Sequence, residues 1–166
     1  MKWIIAGFAA LVLAGCDNAS NAPFGLNWGQ TIDSVNFIKG GDCKVNGGKT
    51  ICTFDNQKPF NDWSYQNQLI FESNNLTQVV TTLVGVEDYS LPKPNFDNFT
   101  GKLNSELSYL TSKGFNKETS KLISDKCQLE PTCNKVGESS KTTIGMSNLW
   151  ITINPTPIAI VTYTQE

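Results

Sequence analysis

The chain has 166 residues and a net charge of −2, and it contains no histidine. All 13 of its basic residues are lysines, and they form no cluster able to neutralise a run of phosphates, so we expect no nucleic-acid partner. Without histidine the chain cannot form a Ser-His-Asp triad or a histidine-ligated zinc site, and we expect no catalytic residue, cofactor or metal.

A hydrolase with two carboxylates remains open, because acidic residues are present. They are scattered singly along the chain, however, apart from the adjacent Glu87 and Asp88. Scattered acids such as Glu72 and Glu106 are typical of a solvated surface, which is the interpretation that we favour.

A short apolar segment opens the chain. Lys2 precedes a largely apolar run from Trp3 to Leu13, and this arrangement is typical of a secretory signal. The run is too short to span the core of a bilayer, because that takes about 20 apolar residues. Leu13-Ala14-Gly15-Cys16 resembles the bacterial lipobox. The resemblance implies that residues 1–15 are a lipoprotein signal peptide and that Cys16 carries a diacylglycerol and an acylated amino group. The alternative is an ordinary cleaved signal followed by a chance cysteine.

The residues that follow Cys16 predict where the protein is held. Residues 16–23 are polar and read as a lipidated tether, whereas residues 24–166 form one predicted domain. Several acyl chains make a nearly permanent membrane anchor. Asp17 resembles the enterobacterial signal for retention in the inner membrane, so we favour the periplasmic face of that membrane over the outer membrane.

The first element of the domain is a predicted short helix. Thr31 is a suitable N-cap, and Gly40 provides a stop. Between them, apolar residues recur at intervals of three, at Ile32, Val35 and Ile38.

A β-hairpin with a disulfide is predicted next. Cys43-Lys44-Val45 and Thr50-Ile51-Cys52-Thr53-Phe54 flank the loop Asn46-Gly47-Gly48-Lys49, and this register places Cys43 opposite Cys52 within the reach of a disulfide. Four cysteines remain after Cys16, an even number that suits an oxidising compartment. We therefore expect a second bridge between Cys127 and Cys133, although four cysteines formally allow three connectivities.

Two strands and a second helix follow. Gln68–Glu72 and Thr77–Val84 read as strands on either side of a polar turn. The helix is predicted from one apolar stripe that ends at Gly114 and consists of Phe99, Leu103, Leu107 and Leu110.

Two late strands close the chain, at Leu149–Ile153 and Ile158–Tyr163, whereas Ser139–Asn148 is polar and poorly patterned. Strands outnumber helices, and most pair locally. The sequence therefore predicts an α+β fold, with a single antiparallel sheet of about five to six strands and two helices packed on one face.

The segment Phe24-Gly25-Leu26-Asn27-Trp28-Gly29-Gln30-Thr31, followed by Val35, resembles the opening of small bacterial envelope lipoproteins. The later segment Phe71–Val79 resembles their strand–turn–strand unit. In both respects the chain is similar to the BamE (SmpA/OmlA) type of outer-membrane-assembly lipoprotein. The resemblance implies a BamE-like fold and, for function, a structural or adaptor role in envelope assembly.

Two segments are candidate partner-binding sites. A disulfide between Cys127 and Cys133 would close a small loop with Leu129 and Glu130 at its tip, which suits either an inhibitory plug or a staple that only stabilises the connection. The second segment, Phe60–Tyr65, is rich in aromatic residues and includes Trp63 and Tyr65. Such residues suit either a protein-binding patch or a loop buried over the sheet.

Two functions fit this sequence. The first is an immunity protein, a membrane-anchored binder that neutralises a secreted toxin of the kind delivered by type VI secretion, with Trp63, Tyr65, Leu129 and Glu130 as its anchors. The second is the adaptor role implied by the BamE resemblance. We favour the immunity protein, because location, size and the individual disulfide loop suit a stoichiometric protein binder.

Overall fold

The computed structural model describes residues 21–85, 96–154 and 156–166. The predicted signal peptide, the lipidation residue Cys16 and the sorting residue Asp17 lie outside the described residues, as do Glu87 and Asp88. The described elements, besides short 3₁₀ turns, are β1 (Asp42–Asn46), β2 (Lys49–Phe54), β3 (Gln66–Glu72), β4 (Asn75–Val84), α1 (Phe96–Ser112), α2 (Lys117–Lys126), β5 (Val136–Thr142), β6 (Gly145–Thr152) and β7 (Ile158–Thr164).

The strands form one antiparallel sheet of seven strands in the order β1-β2-β3-β4-β7-β6-β5. Two meanders, β1 to β4 and β5 to β7, meet where β4 pairs with β7. The helices α1 and α2 lie in the connection between the meanders. The α+β class and the antiparallel pairing agree with the sequence prediction, but the predicted size of five to six strands is wrong.

The missed strand is β5, which falls in the segment that the sequence pattern left without an element. It is an edge strand, and Val136 is its only buried residue. Edge strands are commonly polar, because exposed apolar edges invite aggregation. The alternation that marks a half-buried strand is therefore absent from its sequence.

The first predicted helix is also wrong. The segment forms two separate 3₁₀ turns, Ile32–Ser34 and Ile38–Gly40, with Val35 extended between them. An interval of three matches the 3₁₀ repeat as well as an α-helical face, and so short a segment gains little from helix formation. The second helix is instead α2, whose N-cap Asn116 accepts a hydrogen bond of 2.8 Å from the Thr119 amide.

The helix α1 confirms the predicted apolar stripe. Phe99, Leu103, Leu107 and Leu110 are all buried. Gly114 ends the helical segment with a φ of 98°, and the Phe115 amide donates to the Leu110 carbonyl oxygen at 3.0 Å. This arrangement satisfies the carbonyls at the helix end, and glycine adopts its backbone angle without steric cost.

Alternation along the strands separates a buried face from a more exposed one. The inner face carries Leu69, Val79, Val161 and Tyr163, each 0 % exposed, and packs in one core with the apolar stripe of α1. The outer face carries the alternating residues, such as Val80 and Thr162, which are half-buried. Burial of the inner face is the main apolar contribution to the stability of the fold.

Both predicted disulfides are present, Cys43–Cys52 and Cys127–Cys133. The hairpin register is as predicted, with Cys43 opposite Cys52. The strands extend further than expected, so that the turn between them consists only of Gly47 and Gly48, both at positive φ. The first bridge joins the exposed edge strand β1 to β2, and the second lies just before the other edge strand, β5.

The two ends of the sheet differ. Short turns between β1 and β2, β3 and β4, and β5 and β6 share one end, which we call the turn end. The connections between β2 and β3, α2 and β5, and β6 and β7 share the opposite end, which we call the loop end. This separation follows from antiparallel order, because every second connection returns to the same end.

Candidate functional site

The two segments predicted to bind a partner lie at the same end of the sheet, the loop end. Trp63 and Tyr65 belong to the β2–β3 connection, and Leu129 and Glu130 belong to the α2–β5 connection. These connections join strands at opposite sides of the sheet, with β4, β7 and β6 between β3 and β5. At about 4.8 Å per strand, the two segments are roughly 19 Å apart, a span that one protein partner can cover.

The Cys127–Cys133 loop is anchored in the core and exposed at its tip. Both cysteines are buried, at 2 % and 0 % exposure, whereas Leu129 is 65 % exposed. The Thr132 hydroxyl donates to the Leu129 carbonyl oxygen at 2.9 Å and also contacts the carbonyl of Lys126. The bridge therefore joins two buried residues and leaves an apolar side chain exposed at the tip, a geometry that is compatible with a staple and with a plug.

A shallow depression adjoins that tip. It has a volume of about 330 Å³ and is lined by Glu130, Pro131, Asn134, Ile153 and Asn154. The Asn134 side chain accepts a hydrogen bond of 3.0 Å from the Ile153 amide, which ties the loop to the β6–β7 connection. The tip is thus supported from the neighbouring connection as well as by its own disulfide.

The β2–β3 connection is folded against the sheet. The Tyr65 amide donates to the Thr82 carbonyl oxygen at 2.8 Å, and the half-buried Tyr65 lines a depression of about 280 Å³ with Asp55, Asn56, Gln57 and Ser64. The side-chain oxygen of Asn61 accepts from the Trp63 and Ser64 amides at 3.0 and 2.7 Å. These contacts fix the backbone around Tyr65 before any partner binds.

The half-buried side chain of Trp63 points towards the core, so it is not a purely surface residue. Its indole Nε1 donates to Oε2 of Glu106 at 2.6 Å, and the Tyr163 hydroxyl donates to Oε1 of the same carboxylate. Glu106 is 0 % exposed, so the interpretation of this acid as a solvated surface residue is wrong. An alanine at Trp63 would remove a hydrogen bond from a buried carboxylate, and Trp63 is therefore a poor probe of binding alone.

Burial raises the pKa of the Glu106 carboxyl, although the hydrogen bonds from Tyr163 and Trp63 oppose this shift. Burial also raises the pKa of the neighbouring Tyr109 to about 12. The groups that face the carboxylate are neutral donors rather than a second carboxylate or a lysine. The cluster is arranged to hold one buried acid in place, and in this conformation solvent does not reach it.

The aromatic opening of the domain is part of the same core. The ring of Phe24 stacks on Tyr109 with centroids 5.3 Å apart, and it meets Phe60 edge-on at 5.6 Å. The Trp28 indole Nε1 donates to the Ile144 carbonyl oxygen at 3.1 Å, at the turn end. The motif that carries the family resemblance therefore closes the core in this chain.

Sequence reasoning missed Glu106, although a signal for it was present. Phe99, Leu103, Glu106 and Leu110 follow one another at intervals of four, three and four, so the carboxylate lies on the apolar stripe of α1. A carboxylate in that position is buried whenever the stripe is. The hydrogen-bond donors that stabilise it come from distant parts of the chain and are not visible in the local pattern.

Comparison with known protein families, curated proteins and solved structures found no match for this chain. Among residues 21–85, 96–154 and 156–166, no group of three or more His, Cys, Asp or Glu side chains is placed to hold a metal ion. In the same residues no helix has the length and apolar character needed to cross a membrane.

Proposed function

We propose that this protein is an envelope lipoprotein that binds and neutralises a secreted toxin, and that the loop end is its recognition surface. The observation that carries the proposal is the position of the two candidate segments at the same end of the sheet. Both are pre-organised, one by a buried disulfide and the other by hydrogen bonds to the side chain of Asn61. Rigid binding loops lose little conformational entropy on association.

Within this surface, Leu129 and Glu130 are the best candidates for inserted anchors. Both are exposed on the rigid tip, and an apolar side chain next to a carboxylate can fill a cleft and pair with a polar or basic group in its wall. Tyr65 is the second candidate, because it is half-buried and offers its ring beside a depression. Occlusion of the active cleft of the toxin requires no catalytic group on this chain.

Alanine substitutions test the surface. Leu129→Ala, Glu130→Ala and Tyr65→Ala should each weaken the affinity for the partner toxin, by about 30-fold for a true anchor, and should reduce protection in competition between sister cells. Val45→Ala is the matched control, since Val45 is 78 % exposed and lies at the turn end. Isothermal titration with the purified toxin measures the affinity, and thermal unfolding verifies that each variant is folded.

The anchor is tested separately. Cys16→Ala should abolish labelling by a fatty-acid probe and should reduce protection even when the loop end is intact. Undiminished labelling would contradict lipidation, whereas full resistance of a deletion strain to every sister-cell toxin would contradict immunity. A defect in outer-membrane protein assembly in that deletion strain would instead support the BamE-like adaptor role.

A further inference from the structure

The outer face of the sheet, opposite α1, is almost free of charge. Strands β3, β4, β6 and β7 contain one charged residue in all, Glu72, at the end of β3. Lysines at the rim of this face are paired: Lys44 with Asp42 at 2.5 Å, Lys49 with Glu72 at 2.7 Å, and Lys141 with Glu166. Strands β3, β4, β6 and β7 therefore present little net charge to a ligand.

A row of polar side chains crosses this face. The strand register aligns one outward residue from each of six adjacent strands, in the order Ser139, Asn148, Thr162, Val80, Gln68 and Thr53. All but Val80 carry a hydroxyl or an amide. The next residue in this register is Asp42 on the edge strand β1, which is charged and is paired with Lys44. Five strand spacings make the row roughly 24 Å long. We call it the amide–hydroxyl row.

Part of the row retains free hydrogen-bonding capacity. Ser139 donates to Asn148 Oδ1 at 2.7 Å, and Gln68 donates to Thr53 at 3.3 Å. Within the described residues, the Nδ2 amide of Asn148 and the hydroxyl of Thr162 make no hydrogen bond to protein. The centre of the row thus offers donors and acceptors to a polar ligand.

An exposed indole lies beside the row. Trp150 precedes Thr152 on β6 and points outward two residues from Asn148, a separation of roughly 7 Å. It is 50 % exposed, and its atoms Cε3 and Cζ3 would lie 2.8 and 2.9 Å from a Cβ at Gly137. The ring therefore covers the backbone of the neighbouring strand, which holds it in place and leaves part of it open to solvent.

From this juxtaposition we propose that the outer face binds an uncharged polysaccharide chain laid across the strands. A pyranose ring has an apolar C–H face that can stack on Trp150, and its hydroxyls can exchange hydrogen bonds with Asn148 and Thr162. The low charge of the four central strands matches a neutral glycan. This inference does not depend on the proposed toxin binding, which uses the loop end.

A second copy of the chain suits this face less well. Sheet-to-sheet packing excludes water, and the face alternates apolar residues with amides and hydroxyls that would then need partners. A polyhydroxylated chain supplies such partners directly and can keep bridging water. The polar residues therefore favour a glycan as the occupant.

Titration with a defined oligosaccharide tests the proposal. Full-length protein, in a detergent without a sugar headgroup, is titrated with N-acetylchitohexaose while tryptophan fluorescence and heat are recorded. We expect saturable binding and a fluorescence change. Trp150→Ala should weaken binding at least about tenfold, and Asn148→Ala about threefold or more. Leu122→Ala is the matched control, since Leu122 is 56 % exposed on α2 and should leave the affinity unchanged.

Trp150→Phe keeps an aromatic ring and should retain part of the affinity for the oligosaccharide. If Trp150→Ala is unstable, this variant distinguishes loss of stacking from loss of the fold. Three results would overturn the proposal. One is absence of saturable binding of N-acetylchitohexaose, cellohexaose and maltohexaose up to about 10 mM. Another is unchanged affinity in folded Trp150 and Asn148 variants. The third is concentration-dependent dimerisation that Trp150→Ala abolishes, which would assign the face to a second copy.

Discussion

Replacement of Glu106 by glutamine should remove one specific component of the pH dependence of stability. Burial raises the pKa of this carboxyl in the folded protein above its ordinary value of 4.5, so the folded state keeps its proton to a higher pH than the unfolded state. Below pH 4.5 both states are protonated, and the contribution to stability is fully present. As pH rises from 4.5 to the folded pKa, the free energy of unfolding falls, because the unfolded state releases this proton while the folded state retains it.

The size of this effect follows from a single proton. Between the unfolded and folded pKa values, the free energy of unfolding should fall by up to about 1.4 kcal/mol per pH unit relative to Glu106→Gln, and the difference should level off above the folded pKa. Glutamine keeps an acceptor for the Trp63 indole and has a similar volume. The variant should therefore be least stable relative to the wild type at acid pH, and it should gain on the wild type as pH rises towards the folded pKa of Glu106.

Urea unfolding of both proteins, from about pH 4 to pH 9, measures this difference directly, since surface carboxylates common to both largely cancel. Tyr163→Phe provides a second test, because it removes a hydrogen bond that lowers the pKa of Glu106. In that variant the fall in stability should extend to higher pH. A wild-type-minus-glutamine difference that is constant across the whole range would refute the reasoning.

Two further predictions concern stability. Replacement of Cys43 and Cys52 by alanine should lower the free energy of unfolding by about 2–3 kcal/mol, which is the chain-entropy value for a sequence separation of 9. The same replacement should accelerate amide hydrogen exchange in the exposed strand β1. Unchanged exchange in β1 would show that its pairing does not need the bridge. Gly145→Ala should cost more than about 2 kcal/mol, because its φ is 101° and a Cβ would lie 2.2 Å from the Thr164 carbonyl oxygen. Gly101→Ala on the exposed side of α1 is the control and should raise the free energy of unfolding by about 0.5–1 kcal/mol. Equal effects of the two alanine substitutions in thermal unfolding would contradict this account.

Local patterns predicted much of this fold. The stripe of α1, the β3–β4 strands and the β1–β2 register each depend on periodicity or turn chemistry over a few residues, and each agrees with the structure. The register also predicted the Cys43–Cys52 bridge, because opposed positions in a hairpin are close by construction. These features need no information from distant parts of the chain.

Other features depend on tertiary contacts. Strand β5 is polar, and what makes it a strand is its pairing with β6. The segment Ile32–Ile38 has helical spacing but packs as two short turns, because one buried residue, Val35, does not stabilise a helix.

Tertiary contacts also determine the candidate sites. Leu129 and Tyr65 share the loop end only because β7 pairs with β4, a contact between residues far apart in the chain. Tryptophan is a typical surface anchor, yet the indole of Trp63 donates a hydrogen bond to Glu106, which belongs to α1. Residue type and spacing determine what a side chain can do, whereas the long-range pairing of strands and helices determines which groups it meets, and no local periodicity encodes that pairing.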